Sequence, residues 1–129
     1  MSRFDDVMGM LWGCRVYNYN INMLQHSIFL DVVRNYDGTE EQFKVILENV
    51  LSFVWINDCG ETREILSEWD FLDLVSFDTV KDTAIRIIGD EFASQYSANP
   101  NICIEIWNSV MLIEAKKIRI GEEEFKLRS

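Results

Sequence analysis

The sequence predicts a single α+β domain over residues 1–129, with a mainly antiparallel sheet of about five to seven strands, an N-terminal helix, and one or two further helices packed on one face. Three observations predict this class. Apolar and polar residues alternate over residues 101–125, as in strands that bury one face. Residues 2–12 instead follow the helical period. The length of 129 residues suits one domain with its own core.

The N-terminal helix is predicted over residues 2–12, because its apolar residues recur at the spacing of one helical face. Ser2 followed by Asp5 resembles a capping box with Asp in place of Glu. Gly13 is expected to end the helix as its C-cap. The residues of the apolar face are Phe4, Val7, Met8 and Leu11.

Strands are predicted next, over residues 16–21 and 26–33, joined by a turn at residues 22–25. Asp37-Gly38 marks a second tight turn. Alternation then continues over residues 43–55, with a slip near Glu48-Asn49 that fits either a bulge in one long strand or a break between two strands.

The middle of the chain is predicted to hold the further helices. Residues 61–68 suit two helical turns, and residues 69–77 alternate as a strand. Residues 79–97 return to the helical period, although Gly89 weakens that helix. Its apolar face would comprise Ile85, Ile88, Phe92 and Tyr96.

The final hairpin has two possible registers. A four-residue loop over residues 121–124 pairs Ile118 with Leu127, whereas a two-residue loop pairs Ile118 with Phe125. Cross-strand pairs contribute less than about 1 kcal/mol each, so the sequence leaves both registers open.

The net charge of −10 is concentrated in the middle third of the chain, since residues 58–91 hold 10 acids against 3 bases. Such a field disfavours nucleic acid and anionic membranes as partners and favours basic proteins. Solubility is the plainer interpretation. The first residues include acids where a signal peptide needs a basic stretch, and we expect a cytoplasmic protein with no membrane span.

Motifs for catalysis, metals or cofactors are absent from the sequence. His26 is the only histidine, and neither a P-loop nor a dinucleotide fingerprint occurs. The three cysteines, Cys14, Cys59 and Cys103, lack the spacing of a disulfide framework or the setting of a nucleophile paired with His26. We therefore expect no catalytic residues, no metal ligands, no cofactor and no enzymatic activity.

A few polar and aromatic residues allow an alternative. Glu105 and Glu114 lie within apolar strands, where a carboxylate acquires a raised pKa and acid–base roles, although strand alternation predicts a solvated Glu105. Tyr17 and Tyr19 fit either the core or an exposed interface. The basic run at residues 116–119 is interpreted as a protected edge strand rather than a nucleic-acid patch.

Two parts of the chain together resemble a known family. One is the run of strands at the C-terminus, and the other is the N-terminal short helix that ends at Gly13 with the strand at residues 16–21. The matching terminal segments are residues 101–107, 112–115 and 118–125. With the strand at residues 43–47 and Trp69, this pattern resembles the YxiG-like family of small bacterial proteins. The resemblance implies an association with polymorphic-toxin loci, where small acidic proteins serve as cytoplasmic immunity proteins. It brings no catalytic motif, and the acidic middle lies outside it.

The leading hypothesis is a non-enzymatic cytoplasmic protein that neutralises a basic toxin domain through an acidic surface and aromatic anchors. One alternative is a small ligand-binding or enzymatic α+β domain with a pocket between sheet and helices, using Tyr17, Tyr19, Glu105 or Glu114. The other is a structural or assembly subunit. The sequence does not define the oligomeric state. The expected partner-binding residues are Asp58, Glu61, Glu64, Glu68 and Asp70.

Overall fold

The computed structural model describes residues 3–57, 72–86, 88–89, 96–106 and 109–127. One helix and nine strands are defined within these ranges. Their bounds are α1 Arg3–Leu11, β1 Arg15–Asn22, β2 Ser27–Tyr36, β3 Thr39–Asn57, β4 Leu72–Thr79, β5 Ile85–Arg86, β6 Ser97–Ala98, β7 Ile102–Ile106, β8 Ser109–Ile120 and β9 Glu123–Lys126.

Seven of the strands form one antiparallel sheet, in the order β3-β2-β1-β4-β7-β8-β9. β3 also pairs with β8, so the pairings return to their starting strand and close six strands into a ring, with β9 attached to β8. β5 and β6 form a separate two-stranded sheet. The protein is thus mainly antiparallel β-structure with one short helix in its described part.

The core lies inside the ring, where β-branched and aliphatic side chains of paired strands meet. Leu47 of β3 pairs with Ile118 of β8, and both are fully buried. α1 adds Val7 and Leu11 to the same core cluster. Because strand alternation sends every second residue to this face, the predicted binary pattern is confirmed for β2, whereas β1 buries a single residue, Val16.

α1 is fixed at both of its ends. Near its start, Arg3 forms an ion pair with Glu123 of β9, and the Phe4 and Phe125 rings lie 5.0 Å apart between centroids. At its end, the predicted cap is confirmed, since Gly13 has φ of 82° and its N–H donates to the Leu74 carbonyl at 2.7 Å. The helix is thereby held to both β9 and β4.

The slip in the third strand is a bulge within one long strand. β3 runs continuously over Thr39–Asn57, and its register against β8 shifts between Val50 and Ser52. Asn49 has φ of 53°, the left-handed conformation that asparagine tolerates better than most residues. The final hairpin takes the two-residue loop, with Ile118 opposite Phe125 and Arg119 opposite Glu124.

The helix predicted over residues 79–97 is wrong in its described parts. Residues 79–86 and 88–89 are strand, bend or irregular, and residues 97–98 form β6. Asp82 and Gly89 have φ of 55° and 90°, which a right-handed helix cannot contain. Ile88 is exposed, so its apparent helical period does not mark a buried face. The helix predicted at residues 61–68 lies outside the described residues, as do Trp69 and Phe71 of the predicted fourth strand.

The side chain of Asn101 takes the place of a strand on one edge of β8. That edge pairs with β7 up to Ile113 and with β9 from Lys117 onward, which leaves Ala115 between them. Asn101 donates from Nδ2 to the Ala115 carbonyl at 2.8 Å and accepts from the Ala115 N–H at 3.1 Å. Both backbone groups of a fully buried residue are satisfied by one amide.

Replacing Asn101 by Ala should therefore lower the free energy of unfolding by about 1–3 kcal/mol, because the backbone N–H and carbonyl of buried Ala115 lose their hydrogen-bond partners. Urea denaturation followed by circular dichroism measures this loss. Asn20→Ala is the matched control, since Asn20 is an exposed asparagine on β1, and its effect should stay within about 0.5 kcal/mol. Equal midpoints for the two variants would contradict the assignment.

Candidate functional site

The five acids expected to bind a partner, Asp58, Glu61, Glu64, Glu68 and Asp70, lie outside the described residues. They follow β3 directly in the sequence, since β3 ends at Asn57. Their role therefore remains a prediction from the sequence.

The residues of the alternative ligand site do not converge on one cavity. Tyr17 lines a shallow groove with Asp31 and Lys44, in which Lys44 Nζ lies 3.8 Å from the Asp31 carboxylate. Tyr19 does not line that groove and pairs instead with Leu30. The other two residues of that predicted ligand site, Glu105 and Glu114, form hydrogen bonds with different groups.

The two strand carboxylates have structural hydrogen bonds. Glu114 is buried, and its Oε1 accepts from Ser52 Oγ at 2.9 Å and from the Asn99 N–H at 3.1 Å. Glu105 is half-buried rather than fully solvated, and it accepts from Ser76 Oγ at 3.3 Å. Since Asn99 follows β6, Glu114 ties the β5–β6 unit to the ring.

The basic run at residues 116–119 is not on an edge strand, and that prediction is wrong. β8 is flanked by β3 on one side and by β7 and β9 on the other. Lys117 lies 3.1 Å from Glu124 and 3.7 Å from Glu48, while Arg119 lies 3.4 Å and 3.5 Å from the same two carboxylates. The hydrogen bond from Lys117 holds the pKa of Glu124 below its usual value, so this stabilisation is present at neutral pH and is lost as the pH falls through that lowered pKa.

The described cysteines do not have the character of nucleophiles. Cys14 is buried, its thiol donates to the Met10 carbonyl at 3.2 Å, and burial raises its pKa. Burial also raises the pKa of Cys103, helped by Glu105 and Asp78. Both thiols are therefore protonated at neutral pH, whereas thiolate is the reactive form. His26 lies in the β1–β2 turn, exposed to solvent.

Neither a metal-binding cluster nor a membrane-spanning helix occurs in the described part of the chain. No group of three or more His, Cys, Asp or Glu residues there is arranged to hold a metal ion. No helix among these residues has the length and apolar character needed to cross a bilayer.

The surface that differs most from the rest of the molecule has no charged residue. Residues 16–30 and 49–57 contain no Asp, Glu, Lys or Arg, although charged residues make up 26% of the chain. We call the surface formed by residues 19–27 and 50–56 the uncharged end. It comprises the second half of β1, the β1–β2 turn and the distal part of β3.

Large apolar side chains are exposed at the uncharged end although they face the core side of the sheet. Tyr19 pairs with Leu30, which is buried, and Phe53 pairs with Ile113, which is also buried. Directly paired residues share a face. Tyr19 is nevertheless 60% exposed, and further along β3 Trp55 is 61% exposed. The core-side face is therefore open to solvent at this end.

The β1–β2 turn is held rigidly at the uncharged end. Asn22 accepts from the Gln25 N–H at 3.1 Å, and its Nδ2 donates to Gln25 Oε1 at 3.2 Å. The Val50 N–H donates to the His26 carbonyl at 2.8 Å, which ties the turn to the bulge of β3. The turn presents Leu24 at its apex, 94% exposed.

A hollow of about 360 Å³ lies between this turn and β3. Most of its lining is apolar, and its polar lining residues are Asn22, His26, Ser27 and Ser52. The main lining residues are Ile21, Met23, His26, Val50, Leu51 and Phe53.

Sequence reasoning missed this surface because clusters of charge were taken as the mark of a binding site. The visible signal was the opposite one: residues 16–30 form the longest uncharged run in an acidic chain, and they include two tyrosines and a Met-Leu pair at a turn. The interpretation of Tyr17 and Tyr19 as residues of an exposed interface pointed at this run, and both are exposed.

Comparison with known proteins gives the family. A family model described as YxiG-like protein matches residues 4–125. The chain belongs to the YxiG-like family. It is similar to the uncharacterized protein YxiG of Bacillus subtilis (strain 168), with 24% identity over 114 residues that cover 88% of this chain and 83% of the relative. Family membership thus extends over nearly the whole chain, including the uncharged end.

Asn49 has a left-handed backbone conformation next to the bulge of β3, and that conformation can be tested. Asn49→Val should lower the free energy of unfolding by about 1–2 kcal/mol, because a β-branched residue is strained at a φ of 53°. Asn49→Gly is the matched control, and it should be at least as stable as the wild type because glycine adopts a positive φ without strain. Urea midpoints measure both, and a valine variant as stable as the glycine variant would contradict the left-handed conformation at Asn49.

Proposed function

We propose that this protein is a non-enzymatic cytoplasmic binding protein, and specifically an immunity protein that neutralises a basic toxin domain. The observation that carries the proposal is the uncharged end, where Tyr19, Leu51 and Trp55 are exposed on a surface without charge. The immunity role rests on what the resemblance to the YxiG-like family implies, an association with polymorphic-toxin loci in which small acidic proteins serve as immunity proteins.

The composition of the uncharged end favours a protein as the partner. The centres of protein–protein interfaces are depleted in Lys, Glu and Asp and enriched in Tyr, Trp, Phe and Met. Residues 19–27 and 50–56 match both trends. A net charge of −10 opposes binding to phosphate backbones and to anionic lipid, because both carry the same sign of charge.

Acidic residues adjoin this surface in the sequence and would complete the interface. Residues 58–70 contain five acids and one base and follow β3 without a break. A partner that combines an apolar centre with a basic rim would be attracted by these acids and retained by the aromatic side chains. Charge would then set the association rate, and burial of Trp55 and its neighbours would set the dissociation rate.

A second candidate function rests on the hollow beside His26. Its volume of about 360 Å³ falls within the usual range of small-molecule pockets, about 300–1,000 Å³. A ligand-binding or enzymatic domain would use this hollow, not the separated residues Tyr17, Glu105 and Glu114. The protein-binding function is favoured because the exposed apolar surface extends well beyond the hollow, to Leu24 and Trp55.

The test begins with affinity capture of the partner from an extract of the source cells, followed by binding kinetics with the purified partner. Trp55→Ala should weaken binding by about thirtyfold, the effect of losing roughly 2 kcal/mol at an interface hot spot. Ile88→Ala is the control, since Ile88 is an exposed apolar residue outside the uncharged end. This variant should bind the partner with the affinity of the wild type.

The acidic rim is tested with the same partner by neutralising Asp58, Glu61, Glu64, Glu68 and Asp70 to Asn or Gln. The association rate should fall, and so should its dependence on salt, because these charges steer the encounter. Co-expression of the chain should also restore growth to cells that produce the partner. An acidic partner, or a basic one bound equally well by all variants, would overturn the proposal.

A further inference from the structure

We propose that, without its partner, two copies of the chain pair through the uncharged end, with the Met23-Leu24 turn of each copy inserted into the hollow of the other. This inference goes beyond the proposed function and does not depend on it. It assigns the exposed apolar surface of the free protein to a specific occupant, a second copy.

The inserted element is a rigid apolar knob. Leu24 and Met23 are 94% and 75% exposed at the apex of the β1–β2 turn. The turn is braced by the two Asn22–Gln25 hydrogen bonds and by the bond from the Val50 N–H to the His26 carbonyl. A braced turn loses little conformational entropy on binding, so most of the apolar burial contributes to affinity.

The receiving element is the hollow between the turn and β3. Its volume of about 360 Å³ is large enough for a leucine side chain, and Ile21, Leu51 and Phe53 supply apolar walls. Among the described residues no Asp, Glu, Lys or Arg side chain lines it, so insertion of Leu24 would bury no unpaired charge of theirs.

The knob and the hollow adjoin, which is the arrangement that a two-fold interface needs. Met23 belongs to the turn and also lines the hollow, so the two features share a border. In a two-fold pair the same patch meets itself, and each copy must present both halves of the contact. A two-fold axis at this border therefore places each Leu24 opposite the other copy's hollow.

The charge distribution favours the same face. Each copy carries −10, so two copies repel one another in most orientations. The uncharged end, which includes most of the longest uncharged run of the sequence, places no pair of like charges in the centre of the contact. Residual repulsion between the two molecules is screened by salt, so dimerisation should strengthen as the salt concentration rises. A complex with a basic partner should respond in the opposite way.

Sedimentation velocity of the full chain over a range of concentrations, at low and high salt, tests the proposal. The wild type should dimerise with increasing concentration, and more strongly at high salt. Leu24→Gln and Leu51→Gln should each raise the dissociation constant of the dimer at least tenfold, while Ile88→Gln should leave it unchanged. Leu24 is 94% exposed and outside the core, so its variant should keep the wild-type thermal midpoint and report on pairing alone.

A wild type that stays monomeric at every concentration and salt level would overturn the proposal, as would a dimer that both glutamine variants form as well as the wild type. These outcomes are distinct from failure of the proposed function, because a monomer that binds a basic partner through Trp55 would leave that function intact. A dimer that fails to bind any partner would leave the pairing intact and would favour an assembly role.

Discussion

The pairing of β3 with β8 is the interaction on which the rest of the structure depends. It joins residues 45–57 to residues 109–120, which are distant in the sequence, and closes the ring that surrounds the core. The same two strands supply Leu47, Ile113 and Ile118 to the core and Ser52 and Glu114 to the buried polar contact. Without this pairing the β1–β2–β3 and β7–β8–β9 units would each expose one apolar face to water.

The uncharged end follows from the same pairing. β3 is longer than its pairing with β2 requires, because β2 matches it only from Thr39 to Leu47 while β8 holds it as far as Asn57. Beyond the bulge between Val50 and Ser52, β3 therefore projects past the β1–β2 turn with β8 as its one described pairing partner. Its core-side residues leave the core there and meet solvent, which exposes Phe53 and Trp55.

Local signals in the sequence were enough for the elements whose determinants are local. The apolar face of residues 2–12 and Gly13 predicted α1, and Asp37-Gly38 predicted the β2–β3 turn, because capping and turn residues act within a few positions. The helix over residues 79–97 failed because the spacing of Ile85 and Ile88 imitates a helical face, while Asp82 and Gly89 adopt positive φ angles that only the three-dimensional structure shows. Ring closure was not predictable either, since about sixty residues separate the paired segments of β3 and β8 and no local pattern encodes their register. The uncharged end was missed for a further reason. The centres of protein interfaces contain few charged residues, whereas the sequence-based prediction looked for clusters of acidic residues.

We infer that the uncharged end is the contact surface of this protein. Amide chemical shifts in nuclear magnetic resonance spectra, followed from dilute to concentrated protein, test it residue by residue and require no identified partner. We expect the shifts to change within residues 19–27 and 50–56 and to stay constant on α1 and β9. Changes confined to α1 and β9 would contradict it, whereas constant shifts at every concentration would contradict only the pairing of two copies.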